Sequence, residues 1–165
     1  PSPGGPAIDR LAAGGDPGFL DLPRTRLPAA RGPFGFSFSG IKTAVLYTLS
    51  RMDHAARAVY LERHGADLAA AFEQAVVDVL VGAVRDAVRE TGVEAAAIVG
   101  GVSANRRLRA AAEAAAQADG FALFVPRLEF SMDNAAMVAV TGRFKLEAGH
   151  TSPLSLTAAP SLALG

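Results

Sequence analysis

The sequence predicts a layered α/β domain, and three observations carry that reading. Two short apolar runs, residues 95–99 and 121–125, are each followed by a helix-forming stretch, residues 103–118 and 134–148. Strand–helix–strand–helix in that order is the pattern of helices layered on a sheet. The third observation is the segment 67–90, in which Phe72, Val76, Val79, Leu80, Ala83, Val84, Ala87 and Val88 cover much of a helical circumference. A helix apolar over so wide an arc is packed on more than one side.

The remaining elements follow in order. Pro6 suits a first helical turn, so residues 7–13 read as a short helix ended by Gly14-Gly15. Residues 16–35 are loop, broken by prolines and glycines and without a sustained period. Phe34, Phe36 and Phe38 alternate with small residues, the period-two signature of a short strand. Ser39 is positioned to cap a helix running from Gly40 or Ile41 to about Arg51. A further helix over 55–63 is broken by Gly65, and Gly92 stops the long helix over 67–90. The run 95–99 reads as a buried strand, Pro126 ends the second strand, and Gly149 closes the last helix. These assignments give a domain over residues 1–149 and a tail, or docking arm, over 150–165.

Bulk composition narrows the class. Half of the 165 residues are hydrophobic and 19% are charged, which is enough for a core and too apolar for disorder. Sixteen basic residues balance sixteen acidic ones, so net charge names no partner. Two local clusters stand out, Arg24, Arg26 and Arg31 in one loop and Arg106, Arg107 and Arg109 on one helix; either is read as a solvated face. The lack of cysteine excludes a disulfide framework, a thiolate nucleophile and a thiolate metal site. No apolar run approaches the roughly 20 residues that span a bilayer, so no membrane partner is expected. The opening Pro1-Ser2-Pro3-Gly4-Gly5-Pro6 has no signal-peptide features and no initiator Met, which is expected of a fragment or a processed chain.

The strongest local signal is Gly100-Gly101, where a strand stops and a helix begins. A glycine pair there is either a plain tight turn or a place where bare backbone N–H groups meet an anionic or nucleotide ligand. Ser103 offers a capping hydroxyl, and Asn105 an amide that serves either a backbone partner or a ribose or phosphate. Gly4-Gly5 followed by Asp9 repeats the arrangement, with a carboxylate able to accept hydrogen bonds from a ribose diol. Asp133, before Asn134, is either an N-cap or a carboxylate facing metal or phosphate at a sheet's C-terminal edge. Lys42 is either solvated or phosphate-facing, and His54, His64 and His150 lack ligand spacing and read as surface residues. Neither a Ser-His-Asp or Cys-His set nor a Walker lysine motif is present, and no catalytic residue is assigned.

Five segments in this order and spacing resemble the tRNA threonylcarbamoyladenosine transferase family, TsaD. They are Pro3-Gly4-Gly5-Pro6, Phe36-Ser37-Phe38-Ser39-Gly40-Ile41-Lys42-Thr43, Ala71-Phe72-Glu73-Gln74-Ala75-Val76-Val77-Asp78, Gly100-Gly101-Val102-Ser103-Ala104-Asn105-Arg106 and Asp133-Asn134-Ala135-Ala136-Met137. The resemblance implies the actin-like, sugar-kinase-like (ASKHA, ribonuclease H-like) ATPase fold, this chain supplying a lobe with helices packed on a small mixed sheet. It implies transfer of a threonylcarbamoyl group from threonylcarbamoyl-AMP to the N6 amine of the adenosine 3′ of the tRNA anticodon. It assigns substrate binding to Gly5, Asp9 and Asn105, the adenine wall to Gly100 and Gly101, and metal binding to Asp133. ATP, ADP or the adenylate is the implied ligand, one iron or zinc ion the implied cofactor. Implied partners are tRNA, TsaB- and TsaE-like proteins and an N-terminal lobe absent here; the implied location is the cytoplasm. The arginine clusters become candidates for tRNA backbone contacts.

Two departures from the family pattern count. Ser131-Met132 stand where many members have Cys-Thr. The lobe carrying the family's phosphate loop and its His-x-x-x-His pair is missing, so the isolated chain is expected to be inactive. The alternative reading is a non-catalytic nucleotide-binding or scaffold paralogue of the same fold.

Overall fold

The computed structural model describes residues 4–25, 27 and 34–158. Helices α1 (Gly4–Ala12), α2 (Ser39–Ser50) and α3 (His54–Thr91) precede strand β1 (Ala95–Ala97); α4 (Arg106–Asp119), strand β2 (Ala122–Phe124) and α5 (Ala135–Glu147) follow it. Two single 3-10 turns, Gly101–Ala104 and Leu128–Phe130, lead out of the strands. The chain divides into two compact units, Pro1–Ser131 and Met132–Gly165.

Helix α3 organises the first unit. Asp53 opens it by accepting from the Ala56 N–H at 2.8 Å, and Gly92 closes it in the left-handed conformation. Gly65 does not interrupt it, contrary to the sequence expectation. A mid-helix glycine costs about 1 kcal/mol relative to alanine, and contacts on both sides of Gly65 outweigh that. Upstream, the Phe19 ring stacks on His64 at 5.1 Å and meets Tyr60 at 6.4 Å. Downstream, Asp67 Oδ1 accepts from the Asp16 N–H at 2.9 Å. His64 is therefore half-buried among aromatic rings rather than a free surface residue, while His54 and His150 are exposed.

Three helices pack around α3, as its apolar circumference predicts, but its fully buried positions are mostly small. Ala12 of α1 meets Ala69 and Ala70, with Ile8 against them. On another side Leu22, Ile41, Ala71, Ala75 and Val79 form a core flanked by Phe36, Phe38 and Phe72. Alanine at these positions lets backbones approach closely. The extreme case is Gly15, where a Cβ would lie 2.1 Å from the Ala66 carbonyl oxygen.

The phenylalanine alternation does not build a strand. Only Phe36 makes a bridge, and the Phe36 and Phe38 rings instead meet tilted at 5.2 Å over the core. Ser39 begins α2 rather than capping it; the cap position is Phe38, and the Ser37 hydroxyl accepts from the Ser39 N–H at 3.3 Å. The carbonyls at the end of α2 are met by Arg57, which donates to Leu49 and Met52 at 3.0 and 3.1 Å.

The sheet among the described residues is parallel, not mixed: Ala95 pairs with Ala122, Ala96 with Leu123 and Ala97 with Phe124. Two strands are too few for a mixed sheet, and the crossover through α4 supplies the connection that a parallel pair requires. Nor is β1 a buried strand. In both strands the outer two residues are exposed and only the middle one is half-buried, because this pair has two open edges.

In the second unit, α5 begins at Asn134, whose side chain accepts from the Met137 N–H at 3.1 Å. The helix has no buried residue, and residues 150–158 continue as exposed irregular chain. Within the predicted segments, Pro3, Arg26, Arg31 and residues 159–165 lie outside the described residues.

Candidate functional site

The N-terminus of α4 is where two of the predicted site residues, Asp9 and Asn105, meet. Ser103, expected to cap this helix, is instead fully buried in the preceding 3-10 turn and donates to the Gly100 carbonyl at 2.7 Å. Asn105 is the cap: its Oδ1 accepts from the Leu108 N–H at 2.8 Å. That leaves the Asn105 NH2 group pointing away from the helix. It donates to Asp9 Oδ1 on α1 at 3.3 Å and to Glu73 Oε1 on α3 at 2.6 Å. One amide thus joins residues 96 and 32 positions away in sequence.

Charge around this amide is balanced locally. Arg106 donates to Asp9 Oδ2 at 3.3 Å, and Arg107 Nε to Glu73 Oε2 at 2.8 Å. The relay continues along α3: Arg107 reaches Gln74 Oε1 at 2.9 Å, Gln74 reaches Asp78 Oδ1 at 2.7 Å, and Arg24 holds Asp78 Oδ2 at 3.0 Å. Arg24 also pairs with Asp21 and the Leu22 carbonyl.

These contacts correct the reading of the arginines as solvated faces. Arg24 and Arg107 are tied to carboxylates, and Arg109 donates to the carbonyls of Ser103 and Pro126. Of the three arginines on α4, Arg106 keeps the most open guanidinium, 70% exposed. Lys42 is exposed.

Gly5 lies one turn before Asp9 on α1, exposed and with open space where a Cβ would sit. Gly100 has φ +83° and ψ 177°, a conformation that excludes side-chain-bearing residues, and it too faces open space. The first unit therefore presents two accessible glycine backbones and a half-buried carboxylate, with Asn105 bonded to that carboxylate and following Gly100-Gly101 in the chain.

Asp133 belongs to the second unit, exposed in the turn before α5. Asn134, not Asp133, caps that helix, which removes the N-cap explanation for the aspartate. Among the described residues no group of three His, Asp or Glu side chains converges. Asp133 has the hard oxygen donor an iron or zinc ion accepts, but these residues by themselves do not fit a metal centre, which takes about three protein ligands. Ser131, where the pattern has cysteine, is buried and donates its hydroxyl to the Arg127 carbonyl at 3.2 Å.

Sequence reasoning missed Glu73, Gln74 and Asp78, and read Arg107 as a solvated residue or a tRNA contact rather than as the partner of Glu73 and Gln74. The available signal was Glu73 itself, a charge set between the apolar runs 68–72 and 75–77. A carboxylate at such a position is almost never buried unless paired.

Comparison with known proteins identifies the family. The family model described as "TsaD: tRNA N6-adenosine threonylcarbamoyltransferase" matches residues 1–140. A protein named tRNA N6-adenosine threonylcarbamoyltransferase from Salinibacter ruber is 51% identical over 162 residues, covering 98% of this chain and 47% of the relative. Proteins of the same name from Chlorobium phaeobacteroides and Burkholderia mallei are 42% and 48% identical, covering 96% and 87% of this chain. They are matched over 46% and 41% of their own lengths, so the chain spans about half the length of the relatives it matches. With a family model matching most of its residues and relatives this similar along nearly its whole length, the chain belongs to the TsaD family of tRNA N6-adenosine threonylcarbamoyltransferases.

Proposed function

We propose that the chain is the C-terminal lobe of a longer t6A-forming enzyme of the ASKHA fold. Its α1–α4 junction binds the nucleotide part of threonylcarbamoyl-AMP. The observation that carries this is the meeting of Asp9 and Asn105, 96 residues apart, through one hydrogen bond. A carboxylate with its second oxygen only loosely engaged, at 3.3 Å from Arg106, is suited to accept from a ribose diol. Gly100 and Gly101 present backbone without a Cβ, so an adenine ring can lie flat against them.

In the reaction, the N6 amine of adenosine attacks the carbamoyl carbonyl carbon. The carbon–oxygen bond to phosphate breaks, AMP departs, and the amine loses one proton. The amine is a weak nucleophile, so orientation supplies much of the rate, and this lobe contributes it by holding the nucleotide. Asp133 is proposed as one ligand of a divalent iron or zinc ion whose other ligands lie outside these residues. tRNA, with TsaB- and TsaE-like proteins, completes the proposed set of partners, Arg106 being the most open phosphate contact on α4. No helix among the described residues is long and apolar enough to cross a membrane. A cytoplasmic location is part of the proposal because it rests on the tRNA substrate.

The test uses a protein of full family length that contains these residues, with t6A in tRNA measured by mass spectrometry. Asp9→Ala is expected to reduce formation about tenfold or more, the loss of a hydrogen bond to a charged group. The 165-residue chain alone is expected to form none. Undiminished formation by Asp9→Ala refutes the site, and product from the isolated chain refutes its dependence on a second lobe.

A further inference from the structure

We propose that Glu73 and Arg107 are a positioning pair that fixes which way the Asn105 amide faces and, through it, the orientation of the Asp9 carboxylate. The inference rests on the reading of Asp9 and Asn105 as ligand-binding residues, and deepens it. An asparagine amide has two ends of similar shape and opposite hydrogen-bonding character. Here every contact favours one orientation. Oδ1 receives the Leu108 N–H at 2.8 Å, while Nδ2 faces two carboxylates, Glu73 at 2.6 Å and Asp9 at 3.3 Å. Turned over, the amide oxygen would face both carboxylates and the NH2 would face a backbone N–H. Glu73 makes the shorter contact and so dominates the choice.

Glu73 is itself immobilised. Its side chain is 8% exposed, and a carboxylate so buried requires a partner. Arg107 supplies it and is clamped in turn by Gln74, whose own NH2 is held by Asp78. Nothing in this relay touches the open glycine backbones. Its effect reaches the ligand only through Asn105 and Asp9, which makes Glu73 a positioning residue rather than a binding one.

Glu73→Gln tests this, in the full-length protein, by ADP titration calorimetry. Whichever way glutamine turns, one of the contacts to Asn105 and Arg107 becomes donor against donor. The ADP Kd is expected to rise about fivefold to tenfold, and to change less than about twofold when the same substitution is made in Asn105→Ala, the signature of coupled residues. Arg107→Lys keeps the charge but not the fork spanning Glu73 and Gln74, and is expected to give a smaller rise that also vanishes in Asn105→Ala. Equal factors in both backgrounds, or no change in either, overturn the proposal. If Glu73→Gln does not fold, the Arg107→Lys cycle decides on the same criteria. Nitrogen-15 NMR of the Asn105 side-chain amide separates the two readings. Absence of ADP binding by the unsubstituted protein removes the nucleotide site, whereas positioning still predicts one Asn105 amide proton shifted downfield by its short bond to Glu73, and its return toward the ordinary amide range in Glu73→Gln. An Asn105 amide with both protons at ordinary solvent-exposed shifts in the unsubstituted protein refutes the positioning.

Discussion

Replacing Gly15 with alanine should detach α1 from the spine of the fold. A Cβ at this residue would lie 2.1 Å from the Ala66 oxygen, 2.3 Å from its carbonyl carbon and 2.7 Å from the Asp67 nitrogen, all backbone atoms. Ordinary contact begins at 3.4 Å, so α1 and α3 must separate by about 1.3 Å. No rotamer change relieves it, because the obstacle is a helix backbone with its carbonyl in the ladder. Gly15 does not have a positive φ, so the penalty is steric alone. The displacement spoils the packing of Ala12 on Ala69 and Ala70 and the hydrogen bond from the Asp16 N–H to Asp67. Overpacking costs 1–3 kcal/mol where side chains yield; against backbone we expect about 3 kcal/mol or more. Urea titration followed by circular dichroism reads this as a fall in midpoint, with Gly14→Ala as the control, since nothing lies within 4 Å of its Cβ position. The control should be neutral or slightly stabilising, by about 0.4–1 kcal/mol, through the unfolded chain. A Gly15→Ala midpoint equal to that of Gly14→Ala would refute the close-packing argument. Because Asp9 sits on the same helix, ADP affinity should fall with the same substitution.

Two further outcomes follow from the caps and ion pairs. Arg85 Nε and NH2 grip Asp119 at 2.6 and 2.7 Å, and that hydrogen bonding holds the Asp119 carboxyl below the usual carboxylate range and the Arg85 guanidinium above its own. Because the Asp119 value is lowered on folding, the clamp contributes fully above the ordinary carboxylate range and is lost as pH falls through the lowered value. The Tm gap between the unsubstituted protein and Asp119→Asn should stay constant from about pH 5 to 8 and close as pH falls below the ordinary carboxylate range; a gap that persists in acid refutes the assignment. Asn134→Ala should cost about 1 kcal/mol as a lost N-cap, whereas Asp133→Asn, exposed and outside the cap, should leave Tm unchanged while abolishing t6A formation. A destabilised Asp133→Asn would show that this residue has a structural role.

The helices were legible because their signals are local. Gly92 and Gly120 stop α3 and α4, and polar residues at Asp53, Asn105 and Asn134 start helices, although the sequence pointed to Ser103 rather than Asn105 for α4. What failed was whatever depended on distant chain. Gly65 reads as a breaker until Phe19 and Asp16 are known to brace the helix around it. The phenylalanine alternation is indistinguishable from a strand until the core beneath it is seen. The same holds at the site. Gly100-Gly101, Asp9 and Asn105 stand out as residue types at suggestive places, but the partnership of Glu73 with Arg107 spans 34 positions and leaves no periodic trace.

The closeness of α1 to the middle of α3 has a consequence for synthesis. Asp16 and its partner Asp67 are 51 residues apart, so α1 leaves the ribosome well before the surface that receives it. At 5–20 residues per second the wait is about 3–10 s. Through that interval the apolar side chains of Ile8 and Ala12 have no surface to pack on, and the Asp9 carboxylate waits longer still for Asn105. The junction of α1 with α4, the proposed ligand-binding site, is therefore among the last contacts of this unit to form, and the nascent helix is a natural target for any chaperone that reads short apolar segments.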